Sequence, residues 1–309
     1  MDLAPILAAW GSPLRELEWK PVGGGFSGAL VFNGEDQFAL KGLSPRFFGQ
    51  DAYAEFGVLR DYQSDAREVL DLIPSVIRPS GHWPLRYDNG RYWQIDEWRP
   101  GVPLGESATV TDIQTACAAL AKLHRVWSRH RREDIGLPAA NRRLKLFSEY
   151  EQYAKSTEPW QQLRSWIQQI RLKLNPWLSR PVISQPCLCD VHREHILFTG
   201  STVTGIIDFA AMKFDHPAVD LARYLGEFPH AISEGVAAYH SAGGRIEVTP
   251  DLVTLLAVSG DVGATVNWLL KLSRDQIPQP QQSAVRERLE RIFRRLRDWN
   301  ANGFFVSES

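Results

Sequence analysis

Two aspartates at the ends of short β-type runs constrain this chain more than any other feature. The first sits in Leu188-Cys189-Asp190-Val191-His192-Arg193-Glu194-His195-Ile196-Leu197-Phe198, and the second in Gly205-Ile206-Ile207-Asp208-Phe209-Ala210. Ile196-Leu197-Phe198 and Gly205-Ile206-Ile207 read as adjacent buried strands, with the polar residues between them as loops. A lone aspartate at such a place usually caps a turn. Two carboxylates on neighbouring strand ends, with a potential ligand five residues after the first, suit metal-assisted phosphoryl transfer. One can orient an incoming hydroxyl while the other holds a divalent metal against nucleotide phosphates.

The first hundred residues alternate strands and turns. Leu17 to Pro21 and Gly28 to Phe32 flank Gly23-Gly24-Gly25, and Gln37 to Leu40 leads to Lys41. Asn33-Gly34 between two such runs is a hairpin signal. Glycines let backbone amides approach an anion closely, and a lysine after such a loop suits a phosphate. Tyr53, Phe56, Leu59 and Tyr62 recur at helical spacing over Asp51 to Tyr62. That helix carries Glu55, an ion-pair partner for Lys41 or simply an exposed charge, with Glu35 and Asp61 as less convenient alternatives. Further strands follow at Ile73 to Ile77 and Tyr92 to Trp98. Past Arg99-Pro100-Gly101, which reads as a hinge, helices dominate: Thr111 to Trp127, Val253 to Leu272 and Ser283 to Trp299. The last has six arginines opposite an apolar stripe. Glu287, Glu290 and Asp298 interrupt that basic face, which favours a solvated helix docked on its lobe over a nucleic-acid contact.

These motifs resemble the aminoglycoside phosphotransferase family, relatives of choline kinases and protein kinases. That family typically reads His-Gly-Asp-Leu-His-x-x-Asn-Ile-Leu-Phe and then Gly-x-Ile-Asp-Phe. The resemblance runs from about Val22 to Ala222 and is strongest at Asp190 to Phe209. It implies an α+β, two-lobed protein kinase-like fold, with a β-rich nucleotide-binding N-lobe over residues 1–98. A mostly helical C-lobe over residues 99–309 would hold the catalytic loop and acceptor pocket. By the same resemblance Asp190 is catalytic and Asp208 binds metal, while Gly23, Gly24, Gly25 and Lys41, with Glu55 as its partner, serve the nucleotide phosphates. Gln94 to Gly101 resembles the hinge, with Glu97 and Trp98 against adenine. Asp215-His216-Pro217-Ala218-Val219-Asp220-Leu221-Ala222 resembles the family's "D-P-x-x-D-L-A" tail, in which the residue matching Asp220 buttresses the catalytic loop. Leu120 to His124 resembles "L-A-x-L-H", with His124 as a packing residue.

Two departures bear on chemistry. The family's His-Gly is Leu188-Cys189 here, and its metal-binding Asn is His195. Imidazole suits manganese or zinc better than magnesium, which prefers oxygen. His195 therefore coordinates a metal, acts through a water, or marks altered catalysis. His192 is open between scaffolding the loop and touching substrate.

Composition limits the alternatives. The 309 residues carry 35 basic and 36 acidic side chains, a formal charge of −1, so no global charge draws nucleic acid or an anionic membrane. No apolar run approaches the ~20 residues of a membrane span, and the N-terminus makes a poor signal peptide. Three cysteines, two of them at Cys187 and Cys189, point to a reducing cytoplasm. The function expected is ATP-dependent phosphorylation of a small-molecule hydroxyl, using ATP and Mg2+, or Mn2+ if His195 ligates. The alternative is a pseudokinase that binds nucleotide or scaffolds without turnover. Asp215, Asp251 and Asp261 are candidates for an acidic acceptor pocket, as a polycationic aminoglycoside would require.

Overall fold

The N-terminal sheet grows from hairpins, as the turn signals require. β1 (Trp19–Pro21), β2 (Leu30–Gly34) and β3 (Phe38–Leu43) pair antiparallel in sequence order. The structure, a computed structural model, describes residues 2–22, 30–43, 52–81, 83–105, 107–153, 158–274, 276–277 and 279–305. Two short helices, α1 (Ala4–Leu7) and α2 (Ser12–Arg15), precede the sheet. The β2–β3 turn is not at Asn33-Gly34 but at Glu35-Asp36, both at positive φ (52° and 56°). Gly34 is needed in the strand, where it pairs with Trp19 and a Cβ would come within 3.0 Å of the indole. Asn33 instead braces the turn, its Oδ1 accepting from the Asp36 amide at 2.8 Å.

Helix α3 (Ala52–Arg67) then leads to β4 (Val76–Ile77), β5 (Arg86–Asp88) and β6 (Arg91–Glu97). β6 pairs with β3, β4 and β5, which completes a six-stranded sheet. α3 is fastened to this sheet by a buried ion pair: Arg60 meets Asp96 at 2.6 Å, and Gln94 donates to the other carboxylate oxygen at 3.0 Å. It also reaches the helical lobe, where Trp127 Nε1 donates to the Tyr62 carbonyl at 2.9 Å.

Beyond β6 the chain leaves the sheet through Arg99-Pro100-Gly101. Gly101 has φ 117°, and a Cβ there would lie 2.8 Å from the Phe198 carbonyl, so only glycine passes. β7 (Val102–Pro103) then joins β10 (Ile196–Thr199), and β10 pairs with β11 (Thr202–Ile206). A third small sheet is built from β8 (Arg132–Ile135), β9 (Pro181–Cys187) and β12 (Lys213–Asp215).

Around these hairpins pack α4 (Val110–Trp127), α5 (Pro138–Tyr153), α6 (Glu158–Leu174), α7 (Ala218–Leu225), α8 (Ile232–Ser241), α9 (Pro250–Ser273) and α10 (Gln279–Ala301). α4 begins where Thr109 and Asp112 form a capping box. α9 begins where Thr249 Oγ1 caps the Leu252 amide ahead of a first-turn proline. By length and apolarity α9 passes as a membrane span, contrary to the expectation that no run approaches one, but 72% of its apolar stretch is buried in the protein. It is the core helix of the C-terminal lobe: Val253, Leu256, Val258, Val262 and Val266 are fully buried. The result is a sheet-rich N-terminal lobe and a helical C-terminal lobe, the α+β two-lobed arrangement expected.

Candidate functional site

β9 ends at Cys187, and the chain must then turn into the β10–β11 hairpin. Cys189 takes φ 62° to do so, at the position where the resembling family has glycine. The turn points the amides of Leu188 and Cys189 at one side chain, Asp220 on α7, at 2.8 and 2.7 Å. Asp220 is fully buried and also faces His124 Nε2 at 3.0 Å. A carboxylate only accepts, so His124 carries its proton on Nε2 and Nδ1 accepts from the Tyr239 hydroxyl at 3.0 Å. His124, Cys187 and Asp220 lie close enough for a metal. These hydrogen bonds already engage His124 and Asp220, and the Cys187 thiol, raised by burial and the nearby carboxylates, donates to the Asp215 carbonyl at 3.2 Å. The cluster is a buttress. All three cysteines are free thiols.

The buttressed loop presents Asp190 to an open cleft of about 1010 Å³ between the lobes. Burial opposes ionisation of Asp190, but the Arg223 guanidinium and His192 outweigh it and hold the carboxyl well below its ordinary range. Arg223 Nη2 donates to Asp190 Oδ1, and His192 Nε2 lies 3.2 Å from the same oxygen. His192 Nδ1 faces Glu227 Oε1 at 3.0 Å. Nε2 also lies 2.7 Å from Arg223 Nη2, a donor it can only accept from, so the ring sits between Arg223 and Glu227 while lining the cleft.

Asp208, two residues past β11, has left-handed backbone (φ 66°, ψ 70°) and lines the cleft. Aspartate tolerates this conformation better than most residues, and such positions gather at functional sites. Lys41, from β3 of the other lobe, donates to Asp208 Oδ1 at 2.9 Å. Despite burial, the Lys41 ammonium brings the Asp208 pKa down to about 2. His195 Nδ1 lies 2.7 Å from the Asp190 carbonyl, and Nε2 lies 3.6 Å from Asp208 Oδ2. Because a carbonyl only accepts, Nδ1 is the protonated nitrogen and Nε2 turns its lone pair toward Asp208. Burial, more than any neighbour, lowers the His195 pKa and keeps the ring neutral.

The structure therefore brings Lys41, Asp190, His195 and Asp208 together. Glu97 ends β6 and Trp98 follows it, both outside the residues lining the cleft. The Glu97 carboxylate accepts from the Ser75 amide and hydroxyl, both at 3.0 Å, and from Arg99 at 2.9 Å. Burial opposes its ionisation, yet these donors lower its pKa. The Trp98 amide donates to the Gln37 carbonyl at 2.7 Å. Gly23, Gly24 and Gly25 lie outside the described residues, as does the side chain of Glu55, whose backbone belongs to α3.

The candidate acids of an acceptor pocket do not form one. Asp215 is fully buried against Arg142, Asp251 is exposed in the first turn of α9, and Asp261 takes two hydrogen bonds from Arg295 at 2.9 and 2.6 Å. The α10 basic face is largely exposed, and its Arg288, Arg291, Arg294 and Arg295 line the open cleft. The sequence reading also passed over Arg223. Its only signal is its place three residues after Asp220, one helical turn on, which aims it at the loop Asp220 holds.

The sequence matches the model of the phosphotransferase enzyme family over residues 18–255. No curated protein sequence matches it. Among solved structures it is similar to wild-type aminoglycoside 2'-phosphotransferase-IIIa in its GDP complex, at 15% identity over 94% of this chain and 95% of that one, with TM-score 0.60. It is similar to a choline/ethanolamine kinase family protein from Mesorhizobium loti, at 16% identity over 94% and 90%, with TM-score 0.59. Amicoumacin kinase hAmiN, in complex with AMP-PNP, Ca2+ and Ami, is similar at 12% identity over 91% and 88%, with TM-score 0.61. At these identities the solved structures speak for the fold alone. The family model takes in the sheet lobe, the hinge and both acidic loops, and on that ground the chain belongs to the phosphotransferase enzyme family.

Proposed function

We propose that the protein transfers the γ-phosphoryl group of ATP to a hydroxyl of a small molecule in the cytoplasm, and that Asp190, Asp208, His195 and Lys41 carry the reaction. The observation behind this reading is the meeting of Lys41 from one lobe with Asp208 from the other, at 2.9 Å, in the cleft that also holds Asp190. In the reaction the acceptor oxygen attacks the γ-phosphorus, the bond to the β–γ bridging oxygen breaks, and ADP leaves. The hydroxyl proton passes to Asp190. Held ionised by Arg223 and His192, Asp190 is a weak base, so its main work is to orient the hydroxyl. Phosphoryl transfer asks for positioning and charge more than for base strength. Lys41 exchanges its Asp208 contact for the nucleotide phosphates.

Asp208 and His195 are the residues that would hold a divalent metal. The fit rests on the tautomer: with Nδ1–H spent on the Asp190 carbonyl, His195 Nε2 is left as a donor 3.6 Å from Asp208 Oδ2, and the two would hold the ion together. The metal supplies positive charge to the phosphates. An imidazole ligand favours manganese over magnesium. This orientation of His195 speaks for a working site over a module without turnover.

Calorimetric titration with ATP in magnesium, manganese and no metal tests the reading. Metal-dependent binding that disappears in Asp208→Ala is the expected result, and absence of ATP binding in every condition would sink it. Asp190→Asn is expected to bind ATP as the wild type does and to lose about 10²–10⁴-fold in kcat.

A further inference from the structure

The wall of the cleft facing away from the sheet lobe is strongly basic. Ten of the residues lining the cleft are Lys or Arg and five are Asp or Glu. Four of those five acids are already matched: Asp208 to Lys41, Asp190 to Arg223, Glu227 to Arg193 and His192, and Asp261 to Arg295. The fifth, Glu194, is exposed. Arg142 takes the buried Asp215.

Cations remain. Arg143, on α5, donates to the Ser259 hydroxyl at 2.7 Å and has no carboxylate within ion-pair distance among the described residues. It lies against Gly260, where a Cβ would come 3.2 Å from Nη2. The absence of a side chain on that turn of α9 leaves the guanidinium room in the cleft. Burial lowers its pKa to about 9, with the Asp215 carboxylate opposing and Arg223 and Arg142 adding to the fall, so it is charged at neutral pH. Lys271, also on α9, lies 4.8 Å over the Trp268 ring and likewise has no carboxylate partner among the described residues. Burial alone lowers its pKa. Arg291 and Arg294 add exposed charge from α10. A cation taken from water without a counter-charge is costly unless a ligand supplies one. These groups stand on C-lobe helices, whereas Lys41 serves the triphosphate from the sheet lobe.

We propose that the acceptor is an anionic alcohol, a small hydroxylated molecule bearing a phosphate or a carboxylate, whose charge is received by Arg143 and Lys271 while its hydroxyl lies at Asp190. This rests on the phosphotransferase reading above and excludes a polycation, which the same wall would repel.

Equilibrium binding to the full chain saturated with AMP-PNP and Mg2+ or Mn2+ tests it, since the nucleotide then occupies the Lys41 side. The probes are ribose 5-phosphate, gluconate, glucose and kanamycin. One or both anions are expected to bind at least about tenfold more tightly than glucose, and kanamycin not at all. Ribose 5-phosphate against gluconate decides between phosphate and carboxylate. Arg143→Met and Lys271→Met are expected to weaken the anion about tenfold or more each with AMP-PNP affinity unchanged, and Arg143→Lys to restore part of the loss. Unchanged AMP-PNP affinity also reports an intact fold. Binding of kanamycin, equal affinity for glucose and the anions, or anion affinity indifferent to both variants would overturn the proposal. Failure of AMP-PNP itself to bind would instead overturn the phosphotransferase reading.

Discussion

His195 is the residue at which this chain parts from its family most informatively. Where the family's Asn offers a carbonyl oxygen, the ring offers a nitrogen whose direction is set by a 2.7 Å bond from Nδ1 to the Asp190 carbonyl. The substitution therefore keeps a donor aimed at Asp208 and changes its softness. Comparing turnover in manganese and magnesium for wild type and His195→Asn reads this directly. The ratio of the manganese to the magnesium rate is expected to fall about tenfold, the size usual when a metal's immediate surroundings change. An unchanged ratio would leave His195 with only its contact to Asp190. At the same scale the sequence was informative about chemistry and silent about neighbours. Asp190, Asp208 and Lys41 were legible because spacing and flanking residues advertise them. Arg223 and Arg143 were not, because an arginine on a helix looks the same whether it faces water or a carboxylate 33 positions away.

Among elements, the β9–β10 loop shows how a strained segment is held. Two consecutive amides, at Leu188 and Cys189, are satisfied by one buried carboxylate from α7, which in turn is tied through His124 to α4 and through Tyr239 to α8. Asp220→Ala leaves both amides and the imidazole without their acceptor. Each buried orphan costs about 1–3 kcal/mol, so a loss of at least about 3 kcal/mol is expected in urea unfolding, together with loss of turnover. Element positions were mostly legible, since α3, α4, α9 and β6 follow from apolar pattern. The β2–β3 turn was not. Asn-Gly is a sound local signal, but Trp19 from another strand needs the space over Gly34 and moves the reversal two residues on.

Over the whole molecule, buried histidine makes stability depend on pH. His216 is buried near His124, and burial first and His124 second lower its pKa to about 4. Between about pH 6.5 and 4 the unfolded chain takes a proton that the folded chain refuses, so stability falls as pH drops through that window, by roughly 3 kcal/mol for this group. Asp208, lowered to about 2, continues the fall below the ordinary aspartate value, whereas Asp215, raised by burial, acts in the opposite sense. The urea midpoint is therefore best followed from pH 7 to 4 in wild type and His216→Asn. A smaller decline in the variant is expected, and an equal one would show that His216 is not the titrating group. What the sequence alone determined was the fold class, the two acidic loops and the lysine that faces them, because these depend on local pattern and on residue types that chemistry makes scarce. Only the tertiary structure decided the charge of the acceptor wall. α5, α9 and α10 are far apart in sequence, and which of their arginines meet a carboxylate and which are left facing the cleft depends on packing between helices that no local pattern encodes.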